Sequence, residues 1–321
     1  MRHCFSSFPA VYAIFLVIVS GSSISQAQDQ AKSGPSAPRS SPLFDAESTL
    51  VLIPATVTDS SNRYLLGLKK KDFQILDNGI EQTITDFSGE DAPLSIGLVF
   101  DTSGSMGDKL RMSRQAAFDV LKTMNPQDEA FLVEFKNQAE LAAGFTGDLK
   151  ELQQKLSDVQ PGGLTSLLDA VELALHEMKK AKNPRKAILI ISDGGDNNSH
   201  YTARDIESLV READVQIYAM GVFEPSFYLG MPKEEISGPR LLSEVAEQSG
   251  GRLFAASDIY DLPSVAARIG IELRNQYVLA YSPKDQPKDG KYHSVEVKVT
   301  EPAGIPHVKV RWRHGYYAPS R

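Results

Sequence analysis

The stretch "LSIGLVFDTSGSMGDKL" spans residues 94–110. It opens with seven mostly apolar residues and stops at Asp101, after which Ser103 and Ser105 follow at alternate positions. A near-continuous apolar run reads as a strand buried on both faces, the pattern of a parallel sheet covered by helices. Oxygen-bearing side chains just past the end of such a strand fall where open α/β sheets place their ligand sites.

The neighbouring sequence repeats this alternation. Further apolar runs occur at 130–135 ("AFLVEF"), 187–192 ("AILIIS"), 215–222 ("VQIYAMGV") and 251–256 ("GRLFAA"). Between them, segments 108–124, 148–159, 166–181, 202–213 and 240–250 carry apolar residues at three- and four-residue spacing, as does a final segment at 258–277. Strand and helix patterns in alternation predict a Rossmann-like, doubly wound, mostly parallel α/β sheet.

The flanks read differently. "TLVLIPATVT" at 49–58 is a strand pattern with Pro54 at an edge or kink. "DFQILDNGIEQTITDFS" at 72–88 holds two alternating stretches about Asn78-Gly79, the strongest short hairpin signal. Past residue 275, "QYVLAYSP", "KYHSVEVKVT" and "HVKVRWRHGYYAP" return to strand patterns. Neither flank has enough strands to bury a core alone. The expectation is that 45–90 and 275–318 pair into one β-sandwich-like unit, with an α/β domain at 92–272 inserted between them. Two separate appendages are the rival arrangement.

The chain begins "MRHCFSSFPAVYAIFLVIVSGSSISQAQ", with a basic start, an apolar run and small polar residues. This predicts a signal peptide of residues 1–27, cut after Ala27, and an exported protein, periplasmic or secreted. An uncleaved anchor is the alternative, although the apolar run is shorter than the roughly 20 residues a spanning helix needs. The one cysteine, Cys4, lies in this segment. The mature chain would then hold no disulfide, which fits a bacterial envelope protein. Residues 28–43, rich in Ser, Pro and Gln, read as a disordered linker. The formal charge of −7 among 321 residues removes any overall drive toward nucleic acid. The basic "LKKKD" at 68–72 reads as a solvated turn.

Three loops fall at predicted strand ends: "DTSGS" at 101–105, "GGLTSLLDA" at 162–170 and "SDGGDNN" at 192–198. Their oxygen groups are Asp101, Ser103 and Ser105, then Thr165, then Asp193. Two carboxylates and three hydroxyls without His or Cys suit a hard cation, Mg2+ above all, with Mn2+ or Ca2+ as alternatives, rather than zinc or copper. Two carboxylates balance one dication and leave a coordination position for an outside anion. A carboxylate from a partner protein is the natural candidate.

These three loops resemble those of the von Willebrand factor A domain over roughly residues 92–272. In that family they form the metal-ion-dependent adhesion site. The resemblance implies Asp101, Ser103, Ser105, Thr165 and Asp193 as metal ligands and an Asp or Glu side chain of a protein partner as the captured group. Leu164 is an extra residue between the glycines and Thr165, a departure from the family's pattern. The flanks further resemble the bacterial VWFA-related family common in Acidobacteria. In some relatives ligand binding couples to the last helix, here near 258–274.

The same residues admit other readings. Asp101 and Thr165 could be turn and cap residues, Asp108 a cap of the first helix, Asp196, Asn197 and Asn198 loop formers, and His200 a solvated loop histidine. A phosphohydrolase using Asp101 as nucleophile needs a carboxylate two residues on, and that position is Ser103. No Gly-x-Ser-x-Gly elbow with His and Asp in order, P-loop or dinucleotide fingerprint is visible. The expectation is a binding module that is not an enzyme, with a scaffold or assembly factor as the runner-up.

Overall fold

The computed structural model describes residues 50–89, 92–223, 238–284, 288–301, 304 and 307–320. The expected signal peptide of residues 1–27 and linker of 28–43 lie outside the described residues.

The N-terminal flank forms strands β1 (Val51–Thr58), β2 (Phe73–Asp77), β3 (Ile80–Gln82) and β4 (Ile84–Ser88). Asn78 and Gly79 join β2 to β3 with φ of 48° and 82°, so that Asp77 pairs with Ile80. Two consecutive positive φ values are what the Asn-Gly pair tolerates and what a two-residue hairpin requires.

The central segment runs β5 (Leu94–Asp101), α1 (Leu110–Leu121), β6 (Glu129–Phe135), β7 (Ala139–Thr146), α2 (Leu149–Asp158), α3 (Leu167–Met178), β8 (Arg185–Ser192), α4 (Ala203–Glu212), β9 (Gln216–Val222), α5 (Gly238–Gln248), β10 (Leu253–Ala256) and α6 (Leu262–Arg274). Its strands form one sheet in the order β10-β9-β8-β5-β6-β7. All neighbours are parallel except β7, which pairs antiparallel with β6 at the edge. Every residue of β5 and β9 is buried, as both faces carry helices. Leu98, Leu189, Ala116 and Ile269 belong to one core, and Val99, Ile190, Val171 and Val245 to the other. The fold is therefore the doubly wound, mostly parallel sheet that the apolar runs predict. Strand β7 had no such signal. Its residues are half-exposed or exposed except Ala143, so its pattern carries little apolar periodicity.

From β5 the chain moves to β6 on one side and later to β8 on the other. This is the switch point of the sheet, where the loops leaving adjacent strands part and open a crevice. The loops after β5 and β8 both emerge there.

The C-terminal flank contributes β11 (Tyr277–Tyr281), β12 (Tyr292–Val299), β13 (Lys309–Trp312) and β14 (Gly315–Tyr317). Strands from both flanks share two sheets, β13-β1-β11-β4 and β14-β12-β2-β3, which form a β-sandwich-like unit. Ile53, Ile75, Leu279, Tyr281 and Val297 from the two sheets form one core cluster. Pro54 sits in β1 opposite Val278 of β11, whereas β13 pairs only with Ala55–Thr58. Its missing N–H thus falls where β1 has a partner on one side only.

A buried polar contact ties the flanks together. The Asp77 carboxylate of β2 accepts hydrogen bonds from the Tyr281 hydroxyl (3.0 Å) and the Tyr316 hydroxyl (2.9 Å). Burial first, then this carboxylate, raises the pKa of both phenols, so each remains a donor. Helix α6 leads directly into β11. Arg185 at the start of β8 donates to the carbonyl of Leu273 and to Gln276 (3.1 Å) at this junction. Buried Glu272 pairs with Arg252 and accepts from the Tyr64 hydroxyl (2.9 Å). No helix among the described residues is long and apolar enough to cross a membrane.

Asp77→Ala removes the acceptor for two phenols at once and should lower stability by about 2–4 kcal/mol in urea unfolding, against about 1 kcal/mol for Tyr281→Phe, which deletes one donor. Equal losses for the two variants would show that the shared acceptor does not hold the flanks together.

Candidate functional site

Strand β5 delivers Asp101 to the crevice with no solvent exposure. Its Oδ1 accepts the Ser103 backbone N–H (2.9 Å), which turns the chain sharply after the strand. Its Oδ2 accepts the Ser192 hydroxyl (2.5 Å) from the end of β8. Ser192 Oγ in turn accepts the Gly194 N–H (2.9 Å). One hydroxyl therefore fixes both the Asp101 carboxylate and the path of the third loop.

Ser103 is fully buried, and its Oγ lies 3.2 Å from that of half-buried Ser105. The alternate spacing thus brings both hydroxyls to one point beside Asp101. The second loop is stapled to the first by Gly104 N–H to Gly163 O (3.1 Å) and Gly162 N–H to Thr102 O (2.9 Å). Gly163 has φ +82°, and a Cβ there would lie 2.5 Å from Asn137 Oδ1, so the loop tolerates only glycine. That same Asn137 Oδ1 accepts the N–H of Leu164 (2.8 Å), which absorbs the extra residue of this loop at its exposed rim.

Thr165 is buried at the next position. Its N–H donates to Asn197 Oδ1 (2.9 Å), and its carbonyl accepts from the backbone of Asn197 and Asn198 (3.0 Å each). The second and third loops are thereby locked together. Asp193, from the third loop, accepts Lys109 Nζ at Oδ2 (2.9 Å) and faces the Gly195 N–H at Oδ1 (3.4 Å). Gly194 beside it has φ +85°, and a Cβ there would meet the Gly238 carbonyl at 2.5 Å, at the start of α5.

The electrostatics follow from this packing. Burial, and after it the Asp193 charge, push the Asp101 pKa up to about 7, with the hydrogen bonds from Ser103 and Ser192 offsetting part of the rise. The two carboxylates are thus close enough to repel. All three loops converge at one site of hard oxygens, with two mutually repelling acids and paired hydroxyls. The chemistry of this set fits a dication, which relieves the repulsion. Among the described residues there is no group of three or more His, Cys, Asp or Glu side chains that could hold a metal. Any metal here therefore depends on the hydroxyls.

Several contributors carried no sequence signal of their own. Ser192 ends an apolar run, and Lys109 lies in a charged helix start; their roles come only from the juxtaposition of β5, β8 and α1. Asp108 does not cap α1, because the N-cap is Lys109 and no side chain caps it. Nor does Thr165 cap α3. The N-terminal N–H groups of Leu167 (2.9 Å) and Leu168 (3.0 Å) are taken by Asp196 Oδ1 and Ser199 Oγ from the third loop. Asp196 is thus a cap across loops, a role invisible when helix and cap lie far apart in sequence. His200 is exposed and donates through its backbone to Asp169 (2.8 Å).

A carboxyl whose folded pKa is about 7 binds its proton more tightly than in the unfolded chain, at about 3.9. Its contribution to stability is full below about pH 4 and is lost as pH rises toward 7. In chelator, the thermal midpoint should therefore fall between pH 5 and 7.5, and Asp101→Asn should flatten that fall. A parent protein whose midpoint rises across this window would contradict the buried, repelled carboxyl.

Comparison with known proteins agrees with this geometry. Residues 96–195, which include all five candidate residues from the end of β5 to the start of the third loop, match the family model of the von Willebrand factor type A domain. An uncharacterized protein of Borreliella burgdorferi is 24% identical over 188 residues, 52% of this chain and 55% of that protein. The inter-alpha-trypsin inhibitor heavy chain H4 of Bos taurus is 24% identical over 177 residues, 50% of this chain and 19% of the relative. The chain thus spans only about half, or less, of the length of these relatives. A solved von Willebrand factor type A structure from Catenulispora acidiphila superposes with a TM-score of 0.50 at 13% identity, covering 77% of this chain and 62% of that one. The doubly wound sheet, the converging loops and the family match together show that the chain carries a von Willebrand factor type A domain.

Proposed function

We infer that this protein is an exported, metal-dependent binding module. It captures a carboxylate of a protein partner through Mg2+ held by Asp101, Ser103, Ser105, Thr165 and Asp193. The observation that carries this reading is the convergence of the three loops. Asp101 and Asp193 feel each other's charge, and the Ser103 and Ser105 hydroxyls lie 3.2 Å apart beside them.

A bound Mg2+ would supply an electrophilic centre for an anionic oxygen. This chain's residues do the rest. Ser192 and the Ser103 N–H hold the Asp101 carboxylate in place. The staples between loops hold the oxygens together before anything binds, which reduces the ordering cost of binding. Exposed Leu164 beside Thr165 offers an apolar rim to a partner. Mn2+ or Ca2+ could replace Mg2+ in such a hard-oxygen set.

Binding rather than catalysis is favoured because neither acceptor bond on Asp101 comes from an acid. Its partners are a backbone N–H and a serine hydroxyl. A phosphohydrolase would need a general acid in that position. A scaffold or assembly factor of a periplasmic complex, using the same site, is the second reading. The β-sandwich-like unit, whose strand β11 follows α6 directly, favours it as a platform. We place the domain limits at 92–272 for the A domain and at 45–90 with 275–318 for the β unit. Export, with no membrane span after cleavage, rests on the N-terminal sequence.

Calorimetric titration of Mg2+ and Mn2+ into the purified protein should give saturable binding, abolished in Asp101→Ala. Mg2+ should also reverse the loss of stability between about pH 5 and 7.5, since it favours the ionised carboxylates. No Mg2+ binding to the parent, with or without acetate, would leave the five oxygens as turn and loop-joining groups only. Copurification of a partner with Mg2+ and its loss in chelator would support adhesion-type capture. Retention in chelator would favour the scaffold.

A further inference from the structure

Lys109 stands out within the site. It is the N-cap of α1, yet its side chain turns toward the crevice and places Nζ 2.9 Å from Asp193 Oδ2. Both side chains are nearly buried, at 11% and 12% exposure. A lysine that gives up most of its hydration is retained only against a compensating charge. At this depth the pair is weakly screened by water and salt. The ammonium therefore engages one oxygen of a carboxylate that a metal would also use.

Lys109 also alters the charge count. Two carboxylates and one dication balance. With the ammonium included, a metal-loaded site carries one positive charge in excess. That excess disfavours the metal alone and favours the metal together with an anion.

We propose that Lys109 is a resident cation of the site, which holds Asp193 in the absence of metal, weakens divalent binding on its own, and couples it to binding of a carboxylate ligand. This rests on the reading of the five oxygens as metal ligands. Without metal, Lys109 offsets the repulsion between Asp193 and Asp101, so the three loops stay assembled. With metal, its charge draws an anionic ligand to complete the count. Metal and carboxylate then strengthen each other's binding by the same factor, as linkage requires. Metal alone would bind weakly and metal with carboxylate tightly, which couples capture to the partner.

The test is a calorimetric Mg2+ titration of the full chain, comparing the parent with Lys109→Met and Lys109→Arg. Each is run in sodium chloride and in sodium acetate at equal ionic strength, with acetate as the carboxylate probe. In chloride, Lys109→Met should bind Mg2+ about tenfold tighter or more, because a like charge a few ångströms away has been removed. Lys109→Arg, which keeps the charge, should track the parent. Replacing chloride by acetate should tighten Mg2+ binding in the parent, and that gain should shrink in Lys109→Met. In chelator, Lys109→Met should melt below the parent, and Mg2+ should raise its midpoint by more. Equal or weaker Mg2+ binding by Lys109→Met, or an unchanged acetate gain, overturns the proposal while leaving the metal site standing. Absence of Mg2+ binding in both the parent and Lys109→Met removes the metal reading itself and the proposal with it. If Lys109→Met folds only on addition of Mg2+, the exchange of one cation for another is read directly by circular dichroism. Failure to fold even with Mg2+ makes Lys109 a structural residue and overturns the proposal.

Discussion

The central constraint is a carboxylate without solvent exposure at the end of a strand buried on both faces. Asp101 terminates β5, the strand beside the sheet's switch point, and its burial is tolerated only because Ser192 and the Ser103 N–H reach it. A buried acid without such partners would carry a penalty of several kcal/mol. The rest of the site follows from meeting it. Ser192 is available because β8 pairs in parallel with β5 and ends one residue past the Phe100–Ile191 pair. The same Ser192 hydroxyl sets Gly194, and Gly194 brings the third loop against the start of α5.

Around this point the loops form a hydrogen-bonded network, with backbone more than side chains doing the joining. Gly104 to Gly163, Gly162 to Thr102, and Thr165 to Asn197 and Asn198 connect all three loops. Asp196 and Ser199 of the third loop cap α3, which starts just after the second. The N-terminus of α3 is thus neutralised from across the crevice, an arrangement that ties the helix to the loop. Such a network holds the oxygens in place before any ligand arrives, and it leaves Asp193 as the one acid held by a cation.

The β-sandwich-like unit adds a second constraint. Both sheets need strands from each end of the described chain, and β11 follows α6 after two residues. Arg185, Arg252 and Glu272 bind this junction to the α/β sheet and, through Tyr64, to the N-terminal flank. The last helix therefore cannot move without disturbing β11, a central strand of its sheet. Local events in the α/β domain and the packing of the flanks are physically linked through that junction.

Much of this was legible in the residues. The runs at 94–100 and 187–192 announce strands buried on both faces, because helices above and below a parallel sheet leave no polar face to encode. Asn78-Gly79 announces its hairpin because few other residues accept two positive φ values. Asp101, Ser103, Ser105, Thr165 and Asp193 could be picked out because hard oxygens cluster just past strand ends. Strand β7 was hidden, since an edge strand with only Ala143 buried has little apolar period. Ser192, Lys109, Asp196 and Asn137 were hidden for another reason. Each acts on a residue at least 27 positions away, and spacing along the chain says nothing about such contacts. Sequence by itself determined the strand and helix order and the chemical character of the loops, because both are local in side-chain type and period. Tertiary structure alone decided which loops meet and how the charges balance, because parallel pairing at the switch point brings β5, β8 and α1 within hydrogen-bonding reach.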